Sequence, residues 1–389
     1  MTVPCALSPD RRYDCLVRIA VVGGGINGSG VAWELARRDY EVTLFDKGRC
    51  GAQTSANTTK LIHGGIRYLE RGHVGLVRES LRERAWLLEH APELVHKIEF
   101  YLPVYDDSPR WRSTLSLGLT MYDALAGGKN IERHRSAPAE EIAERAPLTR
   151  ERLQGGFRFW DAQTDDYRLA RAVVASAAAE GATVREQTRV SSLQTDGKEW
   201  IVNDEQRFDF VVNAAGPWMN ELLAANALRS RYLLTLVRGS HIVLKRRVSD
   251  AALLLQSLVD RRVFFVLPWK GTTLVGTTEV LHAQPMNGVA ATEEEIDYLI
   301  ARFNRYFREP ISRADVASTF SGVRPLVGRA ANPSAIGREY RIERHGNLIN
   351  IFGGKMTTFL SLARKVALRV DNYFGKPRPA REPRFTIEE

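Results

Sequence analysis

Three glycines near the start of the chain have the spacing of a nucleotide-binding turn. Gly23, Gly25 and Gly28 follow the apolar strand-like run 18–22 and precede a helical stretch, an order that places an anion at a helix N-terminus. The first glycine permits the sharp turn, the second lets a pyrophosphate approach the backbone, and the third lets the helix pack on the strand. A second strand-like run ends at Asp46, where a carboxylate can accept hydrogen bonds from ribose hydroxyls. The pattern predicts a dinucleotide site.

The elements that would position this site alternate between strands and helices. After the first strand–helix–strand unit, residues 49–71 are rich in Gly, Ser, Thr and Asn, which indicates an extended loop with short helical pieces. Predicted helices cover 74–89, 114–125, 167–180 and 357–374, and predicted strands cover 99–104, 183–186, 200–203, 208–213 and 348–352.

Residues 231–324 differ in character, because β-branched and aromatic runs typical of strands surround one helix with a capping box of Thr292 and Glu295. We therefore predict an α/β protein with two interleaved domains. Residues 18–95, 150–228 and 325–374 would form a discontinuous nucleotide-binding domain, and 96–149 and 229–324 an antiparallel-sheet α+β domain. Residues 1–17 and 375–389 would be tails, and the second, rich in proline and charge, is predicted to trail on the surface.

Composition limits the classes of function. The 389 residues carry a net charge of +9 from 55 basic and 46 acidic side chains, which suits an anionic small substrate or weak attraction to an anionic membrane. The sequence lacks the basic run interleaved with aromatic residues that is typical of nucleic-acid binding. It also lacks an apolar run long enough to cross a bilayer. Cys5, Cys15 and Cys50 lack metal-ligand spacing, and residues 1–17 lack the apolar segment of a signal peptide. We expect free thiols, no metal and a cytoplasmic protein.

Further motifs run in order along the chain and carry a family resemblance. They are Thr54-Ser-Ala-Asn-Thr-Thr-Lys-Leu-Ile-His63-Gly-Gly-Ile-Arg67-Tyr68-Leu69, Met121-Tyr-Asp123, Asn213-Ala-Ala-Gly-Pro-Trp218, Arg238-Gly-Ser-His241-Ile-Val, Leu267-Pro-Trp269, Gly276-Thr-Thr-Glu279, Ser321-Gly-Val-Arg324-Pro-Leu326 and Phe352-Gly-Gly-Lys355-Met-Thr357-Thr358. Together they resemble FAD-dependent glycerol-3-phosphate dehydrogenase, from about Arg18 to about Phe374. The resemblance implies a Rossmann-like FAD-binding domain of the glutathione-reductase type and a substrate domain of the D-amino-acid-oxidase type. It also implies FAD as cofactor, oxidation of sn-glycerol 3-phosphate to dihydroxyacetone phosphate, and a quinone as electron acceptor.

Oxidising a secondary alcohol removes a hydride from carbon and a proton from its hydroxyl. Flavin N5 can take the hydride, so the protein must supply orientation, a proton acceptor and charge stabilisation. Binding a phosphate requires cationic side chains, above all the planar guanidinium group of arginine, together with neutral hydrogen-bond donors. By resemblance, the substrate pocket contains Arg67, Tyr68, Arg324, Arg338, Lys355 and Thr357, with Arg324 also a catalytic candidate.

His63 is the candidate general base, because an imidazole titrates near neutral pH. A histidine that only packs beside the flavin is the alternative, and the residues do not decide between the two. His241 is a weaker candidate for which we expect a structural role. An arginine base is not favoured, because the guanidinium stays charged in proteins.

The remaining predicted contacts surround the cofactor. Ser55 and Thr59 are predicted pyrophosphate contacts, and Gly216 lies in a small-residue turn that admits close approach of a ligand. Thr358 opens a helix, together with Thr357, after the turn that contains Gly354. This placement would aim free N–H groups at the negative charge of the reduced flavin.

The final helix leaves two interpretations open. It carries Arg364, Lys365 and Arg369 beside apolar residues, which fits either a basic surface resting on a membrane or a helix packed on the FAD domain. Longer members of the family continue with a separate helical domain, whereas only residues 356–389 follow Lys355. The oligomeric contacts and the acceptor site are therefore not fixed by the sequence, and a homo-oligomer is compatible with it.

The expected partners are a small anionic phosphate substrate and a quinone, at a cytoplasmic location or a peripheral one on the inner membrane. A flavin oxidase of an amino acid, a 2-hydroxy acid or another phosphate ester, using O2, is the alternative enzyme. A flavin-binding protein with a vestigial pocket is an alternative outside enzymes. The sequence also leaves open whether Cys50 or His63 holds the flavin covalently.

Overall fold

The computed structural model describes residues 17–329, 336–375 and 377–387. Cys5, Cys15 and nearly all of the predicted tail 1–17 lie outside these residues. The helices are α1 Ile26–Ala36, α2 Val74–His90, α3 Arg112–Ala126, α4 Ala139–Arg145, α5 Asp166–Ala179, α6 Met219–Ala225, α7 Glu293–Asn304 and α8 Phe359–Phe374. The strands are β1 Arg18–Val22, β2 Glu41–Phe45, β3 Leu61–Ile62, β4 Val95–Tyr105, β5 Arg135–Ala137, β6 Leu153–Thr164, β7 Thr183–Arg185, β8 Leu193–Thr195, β9 Trp200–Val202, β10 Gln206–Phe208, β11 Phe210–Asn213, β12 Leu234–Leu244, β13 Ala252–Gln256, β14 Val263–Trp269, β15 Thr272–Gly276, β16 Val280–Leu281, β17 Val316–Val327, β18 Arg341–His345 and β19 Leu348–Phe352.

A six-stranded sheet with the order β18-β19-β11-β1-β2-β7 carries the glycine-rich turn. The pairs from β19 to β7 are parallel, and β18 is antiparallel at one edge. The central strands β1, β11 and β19 are short and apolar because they are buried on both faces, whereas the edge strands β7 and β18 are more polar and exposed. Helices α1, α5 and α8 pack together and share one core with β1, β2 and β19.

A larger, mainly antiparallel sheet has the order β16-β12-β15-β14-β13-β4-β6-β3, with β17 paired to β12 and β5 to β6. Only β13 and β4 pair in parallel among the described strands of this sheet. Helix α7 packs on it through Leu299 and Phe303. The predicted capping box is present, since the Thr292 hydroxyl accepts from the N–H of Glu295 and the Glu295 carboxylate accepts from the N–H of Thr292. The predicted α/β class is confirmed, and the second sheet is antiparallel, as predicted, except at its β13–β4 pair.

The long strand β6 lies in the larger sheet, although the predicted division assigns residues 150–228 to the other domain. It pairs with β4 from Val95 opposite Thr164 to Tyr105 opposite Leu153. The strand begins with a Gly155-Gly156 pair, which weakens its sequence signal. Its partner strand lies about 50 residues earlier in the chain, so no local turn marks the pairing. The domain division itself stays a proposal.

The C-terminal segment differs from the predicted trailing tail. The Phe385 ring lies 5.0 Å from the Trp33 ring and 5.9 Å from the Trp86 ring, and the N–H of Thr386 donates to the Ser176 hydroxyl at 2.8 Å. Phe385 and Ile387 pack against the core around α1. Two alternating apolar residues, Phe385 and Ile387, therefore attach this otherwise polar segment to the parallel-sheet domain. The high content of proline and charge led the sequence analysis to overlook this alternation.

Helix α8 is packed in the interior rather than presented as an apolar surface. Leu362, Val366 and Val370 are fully buried. Its basic residues are paired as well, with Lys365 Nζ 2.8 Å from Glu79 Oε1 and Arg364 Nη1 3.8 Å from Glu83 Oε1. Of the two interpretations of this helix, the geometry favours packing on the parallel-sheet domain. None of the helices within the described residues is both long and apolar enough to span a bilayer.

Candidate active site

A cavity of about 620 Å³ lies where the ends of the parallel strands meet the face of the larger sheet. Ligand sites of α/β sheets form at this end because the loops that follow parallel strands converge there. The predicted site residues that line it are Gly23, Gly25, Asp46, Ser55, Thr59, His63, Arg67, Tyr68, Gly216, Arg324, Arg338, Gly354, Lys355 and Thr357. Gly28 and Thr358 lie behind the wall.

The glycine-rich turn has the geometry that a pyrophosphate needs. Gly23 has φ +103°, and a Cβ there would lie 2.5 Å from the Ala214 carbonyl oxygen. A Cβ on Gly25 would meet only the Ser55 hydroxyl, at 3.4 Å, so this glycine faces open space in the cavity. Gly28 packs directly on the backbone of Gly23. The three glycines therefore occupy the positions that their spacing predicts.

Ser55 and Asp46 frame this turn from either side. The Ser55 hydroxyl accepts from the N–H of Ile26 at 2.9 Å, at the first turn of α1. The Asp46 carboxylate accepts from the N–H groups of Gly24 and Gly48 at 2.7 and 2.8 Å. These bonds fix the carboxylate at the cavity wall, and its bond to a ribose hydroxyl stays a prediction.

An unpartnered polar atom at the cavity wall fits a bound cofactor. Asn27 lines the cavity, and its Nδ2 donates to the Gly353 carbonyl at 3.1 Å, whereas Asn27 Oδ1 is buried without a hydrogen-bond partner among the described residues. Thr358 Oγ1 is also buried and unpartnered within that part of the chain, but it lies behind the wall. An orphaned buried acceptor is costly unless a ligand supplies the donor. Sequence reasoning missed Asn27, whose only signal is its place between Gly25 and Gly28.

Thr358 differs from its prediction in one respect. Its N–H donates to the Lys355 carbonyl at 3.2 Å, because a 3₁₀ turn at Met356–Thr358 precedes α8. This N–H is therefore not free for a ligand.

The substrate candidates form a cationic cluster around one carboxylate. Arg67 Nη2 donates to Glu279 Oε1 at 3.2 Å, and Arg338 donates to the same oxygen. Lys355 Nζ lies 4.4 Å from the centre of the Tyr68 ring and donates to the Ser80 hydroxyl at 3.1 Å. The sequence motif containing Glu279 was recognised, but its role in holding two arginines together was not predicted.

Neighbouring charges decide the direction of the pKa shift of Tyr68, and burial is the main cause of the shift of Arg324. Burial alone would raise the pKa of the Tyr68 phenol, but the combined charges of Lys355 and three arginines lower it. Burial, and after it Arg338, lowers the pKa of Arg324 to about 10. Arg324 thus stays charged at neutral pH, in a site whose field favours an anion.

Arg324 is held by the strands on which it lies. Its guanidinium rests on the backbone of Gly239, where a Cβ would lie 2.5 Å from its terminal nitrogens. Nη2 donates to the Thr277 hydroxyl at 3.0 Å, and Nη1 is buried without a partner among the described residues. The arrangement leaves one donor for a ligand. It also explains the glycine that follows Arg238 in the sequence, which has no role that sequence reasoning identified.

His63 is positioned through its backbone. Its N–H and carbonyl both contact the Thr357 hydroxyl, at 3.3 and 3.4 Å, and its ring lies 6.3 Å from the Phe265 ring. Burial, followed by the charges of Lys355, Arg67 and Arg84, lowers the pKa of the imidazole from 6.5 to about 3. The ring is therefore neutral at physiological pH and able to accept a proton.

His241 and Cys50 are placed away from this chemistry. His241 is fully buried, stacks on Phe320 with ring centres 4.7 Å apart, and shares a hydrogen bond with the Thr59 hydroxyl at 3.0 Å. Cys50 is fully buried and does not line the cavity. Burial raises the pKa of its thiol well above the usual range, so Cys50 is not suited to covalent attachment of a cofactor.

Comparisons of sequence and structure identify a family and several similar proteins. Residues 18–367 match the family model described as FAD dependent oxidoreductase. D-erythritol 1-phosphate dehydrogenase of Brucella abortus is 39% identical over 372 residues, covering 91% of this chain and 73% of the relative. Glycerol-3-phosphate dehydrogenase of Pseudomonas tolaasii is 36% identical over 379 residues, covering 93% and 73%. The structure of glycerol-3-phosphate dehydrogenase from Bacillus halodurans, complexed with FAD, superposes with a TM-score of 0.75 at 25% identity, covering 95% of this chain and 67% of that one.

Proposed function

The chain belongs to the FAD dependent oxidoreductase family, with FAD as its cofactor, and on that premise we propose that it oxidises sn-glycerol 3-phosphate to dihydroxyacetone phosphate. The resemblance to FAD-dependent glycerol-3-phosphate dehydrogenases expected from the sequence is confirmed by relatives at 34–36% identity. The choice of substrate and of electron acceptor within this group is the proposal.

The cationic cluster is the observation that carries the proposal. Arg67, Arg338 and Lys355 converge on one end of the cavity, with Glu279 aligning the two guanidinium forks. Planar forks bind a phosphate through paired hydrogen bonds. A carboxylate substrate, as expected for an amino-acid or hydroxy-acid oxidase, carries one charge and would leave part of this cluster unpaired.

The reaction divides between the two ends of the substrate. Arg67, Arg338 and Lys355 would bind the phosphate, and Tyr68 would donate a neutral hydrogen bond to it. FAD, when bound, supplies the hydride acceptor and passes the electrons on. Neutral His63 would take the hydroxyl proton, and Arg324 would stabilise the negative charge that develops on that oxygen as the carbonyl forms.

The similarity to D-erythritol 1-phosphate dehydrogenase makes a four-carbon polyol phosphate the second candidate. Both substrates present a phosphate and a secondary alcohol, so the same cluster serves either. The two are separated by kcat/KM measured with sn-glycerol 3-phosphate and with D-erythritol 1-phosphate, with glycerol as the phosphate-free control. A higher kcat/KM for the four-carbon substrate would replace the first proposal with the second.

For the acceptor we propose a quinone, reached at the mouth of the cavity. Helix α3 lines the cavity through Leu115, Leu117 and Gly118. Leu117 is 63% exposed, and Trp111, which precedes the helix, is 82% exposed. Large apolar side chains exposed together favour an apolar partner or a membrane surface. Turnover with a short-chain quinone, without hydrogen peroxide production, is expected. Rapid peroxide formation in air would instead support an oxidase.

A further inference from the structure

A buried polar network behind His63 joins three elements of the fold. Arg84 on α2 is fully buried, and its Nη1 donates to Asp161 Oδ1 on β6 at 2.6 Å. The Tyr122 hydroxyl on α3 lies 2.9 and 2.8 Å from the two Asp161 carboxylate oxygens. All three residues are at most 4% exposed. Burying an ion pair and a phenol together is costly, so the network needs an explanation.

The network ends on the peptide bond that follows His63. The Tyr122 oxygen accepts from the N–H of Gly64 at 2.8 Å, whereas Asp161 Oδ1 lies 3.4 Å from that N–H. Burial and the adjacent Asp161 raise the pKa of the Tyr122 phenol well above its usual range. The phenol therefore keeps its proton, donates it to the carboxylate, and leaves its oxygen free to accept from Gly64.

Packing at Gly64 is as tight as the hydrogen bonding. A Cβ on Gly64 would lie 2.5 Å from the Tyr122 hydroxyl and 2.6 Å from Leu81 Cδ2. Only a glycine lets the chain approach Tyr122 this closely. The contact fixes the backbone on the C-terminal side of His63, just as the Thr357 hydroxyl fixes His63 itself.

The His63 ring depends on this backbone for its orientation. Within the described residues the ring makes no hydrogen bond, and the centre of the Phe265 ring lies 6.3 Å away. A proton acceptor must be held within a fraction of an ångström and some tens of degrees to be effective. Thr357 and Tyr122 are thus the groups that hold the peptide bonds on the two sides of the imidazole.

We propose that Tyr122 is a positioning residue, held by Asp161 and Arg84, that orients His63 through the N–H of Gly64. This inference rests on the proposed function, in which His63 accepts the substrate proton. Arg84 acts behind Tyr122, because it pairs with the Asp161 carboxylate that accepts from the phenol. Asp161 supports the same peptide bond directly as well, with Oδ1 3.4 Å from the Gly64 nitrogen. Asn130 forms the outer end, since its Oδ1 accepts from Arg84 Nη2 at 3.3 Å.

The test compares Tyr122→Phe with Tyr101→Phe. Tyr101 is equally buried and donates to the Glu141 carboxylate at 2.8 Å, and like Tyr122 it does not line the cavity, but unlike Tyr122 it does not bond to the backbone beside His63. We expect Tyr122→Phe to slow anaerobic bleaching of the flavin by saturating sn-glycerol 3-phosphate about tenfold or more. KM should change less than about threefold, and Tyr101→Phe should change neither quantity by more than about twofold.

A double-variant cycle distinguishes positioning from a general loss of structure. In a His63→Asn background, Tyr122→Phe should slow bleaching no further, because the group through which it acts has been removed. Equal losses in both backgrounds would overturn the inference, as would a Tyr122→Phe variant that behaves like Tyr101→Phe.

A readout independent of turnover completes the test. The protein has eight histidines, and labelling them with ¹⁵N makes their side-chain signals visible by NMR. The His63 signal is the one that disappears in the His63→Asn variant. Tyr122→Phe should broaden or shift that signal, and Tyr101→Phe should not. An unchanged signal contradicts the inference. Should wild type not be bleached, the proposed function fails, and this signal still decides the inference. If Tyr122→Phe does not fold, the Asn130→Ala variant replaces it in this test. Asn130→Ala should change the His63 signal in the same direction but by less, and an unchanged signal would contradict the inference.

Discussion

Arg324 illustrates how single residues set the chemistry of this site. Its guanidinium lies on a glycine backbone, one of its donors is held by Thr277, and the other has no partner among the described residues. Arg324→Ala should therefore reduce the rate of flavin bleaching by sn-glycerol 3-phosphate by about a hundredfold or more, the loss expected on removing one oxyanion donor. FAD content should be unchanged, because the glycine-turn contacts are not altered. The measurement is stopped-flow absorbance.

Arg246→Ala is the matched control, because Arg246 forms an exposed ion pair with Glu309. It should leave the bleaching rate unchanged. An Arg324→Ala rate equal to that of wild type would remove Arg324 from the site.

The ionisation of His63 predicts a specific pH dependence. A depressed pKa of about 3 means that the imidazole is neutral, and competent as an acceptor, at every pH well above that value. Bound phosphate would oppose the charges of Lys355 and Arg67, two of the causes of the depression, and so raise the pKa in the complex. The apparent pKa of the acid limb in the pH profile of kcat should consequently lie between about 3 and 6.5. The rate should drop as pH falls through it.

The pH profile of bleaching at saturating substrate, for wild type and His63→Asn, checks this expectation. His63→Asn should be slow and should lack that limb. A limb at or above pH 7 that persists in His63→Asn would assign proton transfer to another group.

At the scale of elements, we expect the β1–turn–α1 unit to hold the cofactor. A Cβ at Gly25 points into open cavity beside the Ser55 hydroxyl, the position that a pyrophosphate would occupy. Gly25→Val should therefore yield a folded protein without FAD, detected as native circular dichroism with no flavin absorbance. Gly75→Ala, where a Cβ meets nothing within 4 Å, should retain FAD. Stoichiometric FAD in Gly25→Val would contradict the assignment.

The C-terminal segment behaves as an element of the fold. Phe385 packs between two tryptophan rings, so Phe385→Ala should lower the free energy of unfolding by about 1–2 kcal/mol, the value for a partly buried aromatic side chain. The neighbouring exposed change Arg384→Ala should lower it by less than about 0.5 kcal/mol. Urea denaturation measures both. Equal stability of the two variants would show that the segment contributes nothing.

For the molecule as a whole, local sequence patterns predicted individual helices, strands and turns, whereas the pairing of distant strands, which local patterns do not predict, determines how these elements are arranged. The glycine turn, the helix predicted over 167–180 and the capping box of α7 each have a signal within a short stretch of sequence, and all are present. Strand β6 has no such signal, because its partner β4 lies far away in the chain. The contact of Gly239 with Arg324 depends on strands β12 and β17 pairing with Gly239 opposite Gly322.

The site shows the same division. Arg67, Arg338 and Lys355 are identified by resemblance to a family, but Glu279, Asn27 and Tyr122 acquire their roles only when three or more elements converge. No spacing rule connects Tyr122 with Gly64, and a hydroxyl buried against a carboxylate cannot be distinguished in sequence from an ordinary core tyrosine. Residues that bind through charge are thus more predictable than residues that hold others in place.

Anaerobic absorbance titration of the purified holoprotein with sn-glycerol 3-phosphate tests the central claim most directly, because it reports cofactor, reaction and substrate together. The cationic cluster and neutral His63 in one cavity predict rapid and complete loss of the oxidised flavin band, with glycerol giving no change. A flavin band that stays oxidised in the presence of excess sn-glycerol 3-phosphate would contradict the proposed substrate and direct the search to other phosphorylated polyols.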